Sequence, residues 1–322
     1  MITTQINDKP DTNWDNRLKK SRLGTIYQST ELSNYQKASM GIEHEFLKFF
    51  DDSGKICAQI LLSKNHLGGR IGKISKLTKI PFMKNFIYRW AYGPVIFDDT
   101  KSDEIIQHFQ QYLLSKKLKA NGLFHPFTKI NKKIIHKQFL LDEWSTFLIN
   151  LSDDLDDLWK KMEKKSARKN IERSKNRGVV VKEAGYEDLS DWFELVKNVR
   201  SRIDSSLTFA DIESTWNTLR KLGFAVFLAY KNDIPIGGLG FSFFNSYVTE
   251  WGVGRSSLDY DEKLYSQDLI KWEIIRWSKK NNCKYLDLTG ASPNPQNEKE
   301  SGILRYKKKW GGKQIPLYIL KT

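Results

Sequence analysis

Cysteine is nearly absent. Only Cys57 and Cys283 occur in the 322 residues, each in an apolar, strand-like stretch, which argues against a disulfide framework. Histidine is scarce too. His44, His66, His108, His125 and His136 are scattered, with no helical pair on one face, so no metal ligand set is expected. No apolar run reaches the roughly 18 residues that mark a membrane span, and the polar beginning MITTQINDKPDTNWDNRLKK lacks the apolar core of a signal peptide. The expectation is a cytoplasmic protein, with a basic surface able to touch the inner face of the membrane. Familiar catalytic loops are also missing: there is no Gly-x-Ser-x-Gly elbow and no Walker loop, and Gly252-Val-Gly254 lacks the third glycine of a dinucleotide fingerprint. Negative charge is in the minority. Asp and Glu number 38 against 53 Lys and Arg, a net charge of +15 that points to a polyanionic partner such as tRNA, a nucleotide-linked substrate or an anionic membrane.

Aromatic residues, by contrast, are plentiful. Ten Trp, thirteen Tyr and eighteen Phe argue for ordered, well-filled cores and against a disordered basic tail, and the length allows two domains. The most strongly marked stretch is Ser152 to Gly178. Leu155, Leu158, Trp159, Met162 and Ile171 recur at helical spacing while Lys160, Lys161, Lys164, Lys165, Arg168, Lys169 and Arg173 cover the other faces. This predicts an amphipathic basic helix, or two that bend near Ser166. Ser152 suits the cap, Asp153 and Asp154 suit the positive end of the dipole, and Gly178 suits a left-handed stop.

Along the chain, HEFLKFFDD and KICAQILLSK predict a hairpin around Asp51-Asp52-Ser53-Gly54, followed by a basic loop from His66 to Asn85. A strand FIYRWAYGPVIF, a helix from Asp103 to about Lys119 and a short strand GLFHPF complete the first half. KQFLLDEWSTFLINL bridges to the second, where a helix from about Tyr186 to Ile203 precedes a hairpin turning at Asn232-Asp233. A strand YVTEWGVG, a helix LYSQDLIKWEIIRWSKKNN, a strand CKYLDLTG and a final strand IPLYIL follow. The succession of hairpin, aromatic strand ending in Gly, helix and short strand therefore occurs twice, with Tyr92-Gly93 and Trp251-Gly252 in matching places. The expected fold class is α/β (α+β): each half a mixed, mostly antiparallel sheet flanked by helices.

Two motifs carry a resemblance. The order Leu-Trp, basic run, Ala-Arg-Lys-Asn-Ile-Glu-Arg, Gly-Val-Val-Val, and near the C-terminus Tyr285-Leu-Asp-Leu-Thr-Gly290 followed by Gly302-Ile-Leu-Arg-Tyr-Lys-Lys-Lys-Trp-Gly-Gly312, resemble the FemABX family. These are peptidyltransferases of peptidoglycan interpeptide bridges, built from two tandem GNAT-like (N-acetyltransferase-like) domains. The resemblance implies domains at 1–145 and 146–322, without the coiled-coil arm of some members. It places Lys307 as the catalytic lysine near the reacting carbonyl, where an ammonium would stabilise the oxyanion without an acyl-enzyme. It gives Lys37, Arg168, Arg173 and Arg305 to substrate and phosphate binding. Glu250, Trp251 and Asp287 are expected to line the cleft edge, either positioning an amine or closing the core, with structural duty favoured for Trp251. One departure stands out: His125-Pro126 lies where relatives often carry an acidic residue before proline.

The implied function is transfer of an aminoacyl or acyl group to an amine, from aminoacyl-tRNA to a nucleotide- or lipid-linked precursor of the cell envelope. No bound cofactor is implied, only aminoacyl-tRNA or acyl-CoA as co-substrate, and a monomer is the expectation. Two alternatives stay open. One is an acyl-CoA-dependent N-acyltransferase acting on a sugar amine in surface polysaccharide synthesis, although Arg255-Ser-Ser-Leu-Asp-Tyr-Asp-Glu-Lys lacks the glycine-rich turn that meets a pyrophosphate at a helix start. The other is a non-catalytic protein that binds RNA or a membrane surface.

Overall fold

A computed structural model describes residues 2–66, 86–117, 119–200 and 207–322. The basic loop read from the sequence at 67–85 lies outside them. Contacts divide the chain into two compact units, Met1–Trp144 with Pro316–Thr322, and Ser145–Ile315.

In the first unit, β1 (Thr3–Asn7), β2 (Glu43–Phe50), β3 (Ile56–His66), β4 (Phe86–Trp90), β5 (Val95–Ile96) and β6 (Lys119–Leu123) are joined by α1 (Trp14–Lys20), α2 (Thr30–Met40) and α3 (Ser102–Ser115). Strands β1 to β4 pair antiparallel in sequence order, β5 pairs with β3, and β6 returns parallel to β4. The β2–β3 hairpin forms where expected. Asp51 accepts the amides of Ser53 and Lys55 at 3.0 Å, and Gly54 takes the left-handed conformation the turn needs. Helix α3 buries Ile105, Ile106, Phe109 and Leu113, with the Phe109 ring edge-on to Trp90 at 5.1 Å.

The second unit repeats the plan. Its elements are β7 (Leu140–Asn150), α4 (Leu155–Lys161), α5 (Lys169–Asn176), β8 (Val180–Glu183), α6 (Leu189–Arg200), α7 (Phe209–Leu219), β9 (Phe224–Lys231), β10 (Ile234–Phe244) and β11 (Tyr247–Arg255). They continue with α8 (Ser257–Asp261), α9 (Ser266–Lys280), β12 (Tyr285–Ala291), α10 (Glu298–Lys308) and β13 (Lys313–Lys321). The sheet order β7-β12-β11-β10-β9-β8 is antiparallel except for β11 and β12. Strands β7 and β13 contribute residues to both units, and the C-terminal residues Ile319 to Lys321 pair with β6.

Each half thus holds one parallel pair crossed by a helix, β4-α3-β6 and β11-α9-β12, as the duplicated succession predicts. The last parallel partners are Trp90 with Gly122 in one and Thr249 with Asp287 in the other. Tyr92 and Trp251 each lie two positions beyond, so the aromatic-Gly pairs mark the same topological point.

The basic stretch is two helices with a bend, as its sequence suggests. A π-helical turn, Lys164–Arg168, joins α4 to α5, and the predicted apolar residues Leu158, Met162 and Ile171 are buried with Phe147, Ile149, Ile274 and Leu286 in the core of the unit. Asp154, two residues later than Ser152, makes the cap, its carboxylate accepting the Asp157 amide at 2.8 Å. Among the described residues, six elements were not read from the sequence: β1, α1, β8, α7, α8 and α10. The stretch between Pro295 and Lys309 is a helix rather than a loop with a basic turn, because Asn297 accepts the Glu300 amide at 2.9 Å and starts it.

Candidate active site where two parallel strands part

Strands β11 and β12 pair only over Tyr247–Thr249 and Tyr285–Asp287, although β11 continues to Arg255 and β12 to Ala291. The cause lies in β12. Thr289 has φ +62°, and the register against β7 breaks between Asp287 and Gly290. A β-bulge of this kind bends a strand and frees a backbone group from the ladder.

Lys307 meets that freed backbone. Its Nζ donates to the Gly290 carbonyl at 2.6 Å and to Thr289 Oγ1 at 3.2 Å. Burial lowers its pKa to about 8, opposed by the negative charge of Asp287. The predicted catalytic lysine is therefore held at the opening of the strands by α10, whose first turn carries Glu298 and Glu300 and whose last turn carries Arg305, Lys307 and Lys308, in accord with the dipole.

Around it lies an alternation of buried charges. Lys271 of α9, 1% exposed, forms an ion pair with Glu250 of β11. Lys309 pairs with Asp268, which also accepts from Asn170 Nδ2 at 3.0 Å. Between the two pairs stands Tyr306, with Lys309 Nζ 4.3 Å and Lys271 Nζ 6.0 Å from its ring centre. Burial holds the Tyr306 phenol far above its usual range, with the Asp268 charge adding to the effect. Burial also lowers the pKa of Lys271, and the neighbouring Lys307 and Lys309 push it the same way.

The other predicted residues occupy different surroundings. Asp287 is fully buried, so it supports the opening from behind rather than lining a cleft edge; it accepts from Tyr247 at 2.7 Å, from the Thr289 amide at 2.7 Å and from Thr146. Glu250 is engaged by Lys271. Trp251 is half-buried and packs edge-on to Phe224 at 5.7 Å. Arg305 lines a cleft of about 530 Å³ together with Lys161, Glu163, Ser166, Tyr306, Lys308 and Lys309. Lys307 is not among its lining residues. Arg168 ends the π-helical turn, and among the described residues its buried Nε has no hydrogen-bond partner. Arg173 is exposed and lies over the Tyr265 ring at 5.8 Å. Lys37 belongs to the first unit, exposed on α2, where it lines a cleft of about 720 Å³ with Lys9, His44 and Lys64. Burial and the Lys37 charge lower the His44 pKa to about 4.

His125 is a core residue. It is 1% exposed, its Nδ1 accepts the Phe127 amide at 3.1 Å, and burial takes its pKa down to about 3. The loop after β11 closes on itself. Asp259 of α8, fully buried, pairs with Arg255 and accepts the Ser266 amide at 2.9 Å, so the start of α9 is capped from within.

Sequence reading missed Lys271, Tyr306, Lys309, Asp268 and Thr289. A signal existed for Lys271: it falls in helical phase with Ile274, Ile275 and Ser278, all buried, where a charge needs a partner. Gly311 explains the aromatic-Gly motif. It has φ +73°, and a Cβ there would meet the Lys161 carbonyl oxygen at 2.5 Å, so only glycine lets the chain after α10 pack on the end of α4.

No protein-family model and no curated protein matches the sequence. Solved structures do. FemX is 13% identical over 98% of this chain and 96% of its own, with a TM-score of 0.67. The structure of L-PGS from Bacillus licheniformis is 11% identical over 98% and 93%, with a TM-score of 0.59. A tandem GNAT protein from the clavulanic acid biosynthesis pathway is 8% identical over 99% and 98%, with a TM-score of 0.52. At such identities the likeness speaks to the fold alone, which is the tandem GNAT-like fold.

Proposed function

We propose that the protein is an acyltransferase that forms an amide bond, taking an aminoacyl group from tRNA to an amine of a cell-envelope precursor. The observation that carries this reading is the placement of the Lys307 ammonium where β11 and β12 part. An amine attacks the ester carbonyl, and the oxyanion that develops is stabilised by the ammonium. The C–N bond forms as the C–O bond to the ribose breaks, and the proton lost by the amine ends on the departing hydroxyl. Direct attack suits the cysteines: both are buried, and burial raises the Cys57 thiol and takes that of Cys283 up to about 11, far from a thiolate nucleophile.

The basic lining of the cleft beside Tyr306 and the unpartnered Arg168 Nε favour a phosphate-bearing donor. Acyl-CoA fits less well, since Asp259 already holds the α9 amide that a pyrophosphate would seek, and sets a carboxylate in its path. FemX and L-PGS, with which the fold is shared, lend the envelope its place in the proposal. Among the described residues no helix is long and apolar enough to cross a membrane; the reaction is proposed to occur in the cytoplasm, at the inner face of the membrane when the precursor is lipid-linked.

The test is direct. The protein is incubated with charged total tRNA and an extract of envelope precursors, and the amine that gains the mass of an amino acid is identified. Transfer from acyl-CoA to a sugar amine, with none from tRNA, would replace the donor assignment.

A further inference from the structure

We propose that Asp287 is a positioning residue for Lys307, acting through the bulge at Thr289 and Gly290. The geometry forms a continuous chain. The Asp287 carboxylate accepts the Thr289 amide at 2.7 Å, and Thr289 sits at φ +62°, a conformation that is uncommon and strained for a β-branched residue. That turn brings two acceptors, the Gly290 carbonyl and Thr289 Oγ1, onto Lys307 Nζ at 2.6 and 3.2 Å. From the other side Asp287 is held by Tyr247 Oη at 2.7 Å and by Thr146, whose hydroxyl also reaches the Thr289 carbonyl at 2.8 Å.

A fully buried carboxylate is a poor choice for a strand that only has to pack. A set of apolar residues filling the volume of Asp287 and its side-chain donors Tyr247 and Thr146 is often as stable or more so. What Asp287 supplies is the backbone turn and a negative charge beneath the ammonium. The charged and titratable groups around Lys307 are the Glu250–Lys271 pair on β11 and α9, Asp268 on α9, Tyr306 on α10 and Lys309 just past its end. Each carboxylate among them is engaged by a cation, Glu250 by Lys271 and Asp268 by Lys309, and the charge that favours the protonated form of Lys307 is that of Asp287, behind the bulge.

The proposal rests on the reading of Lys307 as the reacting ammonium for its catalytic consequence, but its test does not. The intact protein is treated with trace acetic anhydride over a range of pH, and acetylation of Lys307 is measured by peptide mass spectrometry relative to exposed Lys313. Wild type is expected to show a Lys307 midpoint near pH 8. Asp287→Asn keeps the shape and removes the charge, and is expected to lower the midpoint by about one pH unit. Thr289→Gly keeps the left-handed turn but removes the hydroxyl acceptor of Lys307 Nζ, and is expected to lower the midpoint by less than Asp287→Asn does; an equal or larger drop would assign the effect to the hydroxyl and overturn the proposal. An Asp287→Asn protein that melts like wild type and keeps its midpoint would overturn the proposal. Should that variant not fold, Tyr247→Phe removes a single donor from Asp287 and is expected to change Lys307 acetylation at least about twofold; an unchanged rate overturns the proposal equally. Neither tRNA nor acceptor enters this experiment, so failure of the donor assignment would leave its result standing.

Discussion

The carboxylate of Asp259 accepts the amide of Ser266 at 2.9 Å and so closes the first turn of α9 with a side chain from within the fold. Removing it by Asp259→Ala frees that amide and strands Arg255, and is expected to cost about 1 to 3 kcal/mol in chemical denaturation. Because the amide is already taken, acetyl-CoA is expected to leave the melting temperature of the wild-type protein where it was. A clear rise on adding acetyl-CoA would show that this helix start yields to a pyrophosphate after all.

The Glu250–Lys271 pair lies almost wholly out of water, with 13% and 2% of the side chains exposed. Breaking one half leaves a buried ammonium without its counterion. Glu250→Gln is expected to destabilise the protein by about 3 to 5 kcal/mol, whereas the double replacement Glu250→Gln with Lys271→Met recovers most of that loss. Denaturant midpoints of the three proteins decide it; equal losses in the single and double variants would mean that the two charges do not compensate each other.

The sequence made the duplicated plan legible because each half spells it in strong periodic signals: two hairpins, Asn232-Asp233 at a two-residue turn with both φ values positive, and helices whose apolar residues recur on one face. Lys307 was singled out by its motif, and the structure brings it to the parted strands. What stayed hidden depended on contacts made at a distance. Helix α10 escaped because its apolar residues Leu304 and Tyr306 are only half-buried and Gly302 stands in its middle, so no continuous apolar stripe announces it. For Asp287 the motif left cleft lining and core closure both open; only the three-dimensional arrangement shows that Tyr247 and Thr146 satisfy it inside the core. Strand β1 reads as a polar lead, since only pairing with β2 orders it.

His125 gives a pH signature. Its folded pKa of about 3 lies well below the ordinary 6.5, so between these values the unfolded chain binds a proton that the folded one refuses. Stability is fully present above about pH 6.5 and falls as the pH drops toward 3, by up to about 1.4 kcal/mol per pH unit for this group. His125→Gln is expected to flatten that acid limb in denaturation curves recorded at several pH values. An unaltered slope would assign the limb to other groups, such as His44.

Gly311 joins the end of α10 to the end of α4, and its φ of +73° is matched by the closeness of the Lys161 backbone. Gly311→Ala is expected to cost about 1 to 3 kcal/mol. Gly302→Ala is the control: nothing stands within 4 Å of a Cβ there, and in mid-helix it is expected to stabilise by about 0.5 to 1 kcal/mol. Denaturant unfolding of both variants reads the contrast, and a neutral Gly311→Ala would contradict the packing described.

The central claim is that one ammonium, Lys307, serves the transfer at the mouth of the parted strands. Its most direct test is a single-turnover measurement of label passing from charged tRNA to amine acceptor by wild type and by Lys307→Met, with melting temperatures recorded for both. Loss of one such stabilising group is expected to slow transfer by about 100-fold or more while the variant stays folded. A folded Lys307→Met protein that transfers at the wild-type rate would contradict the account.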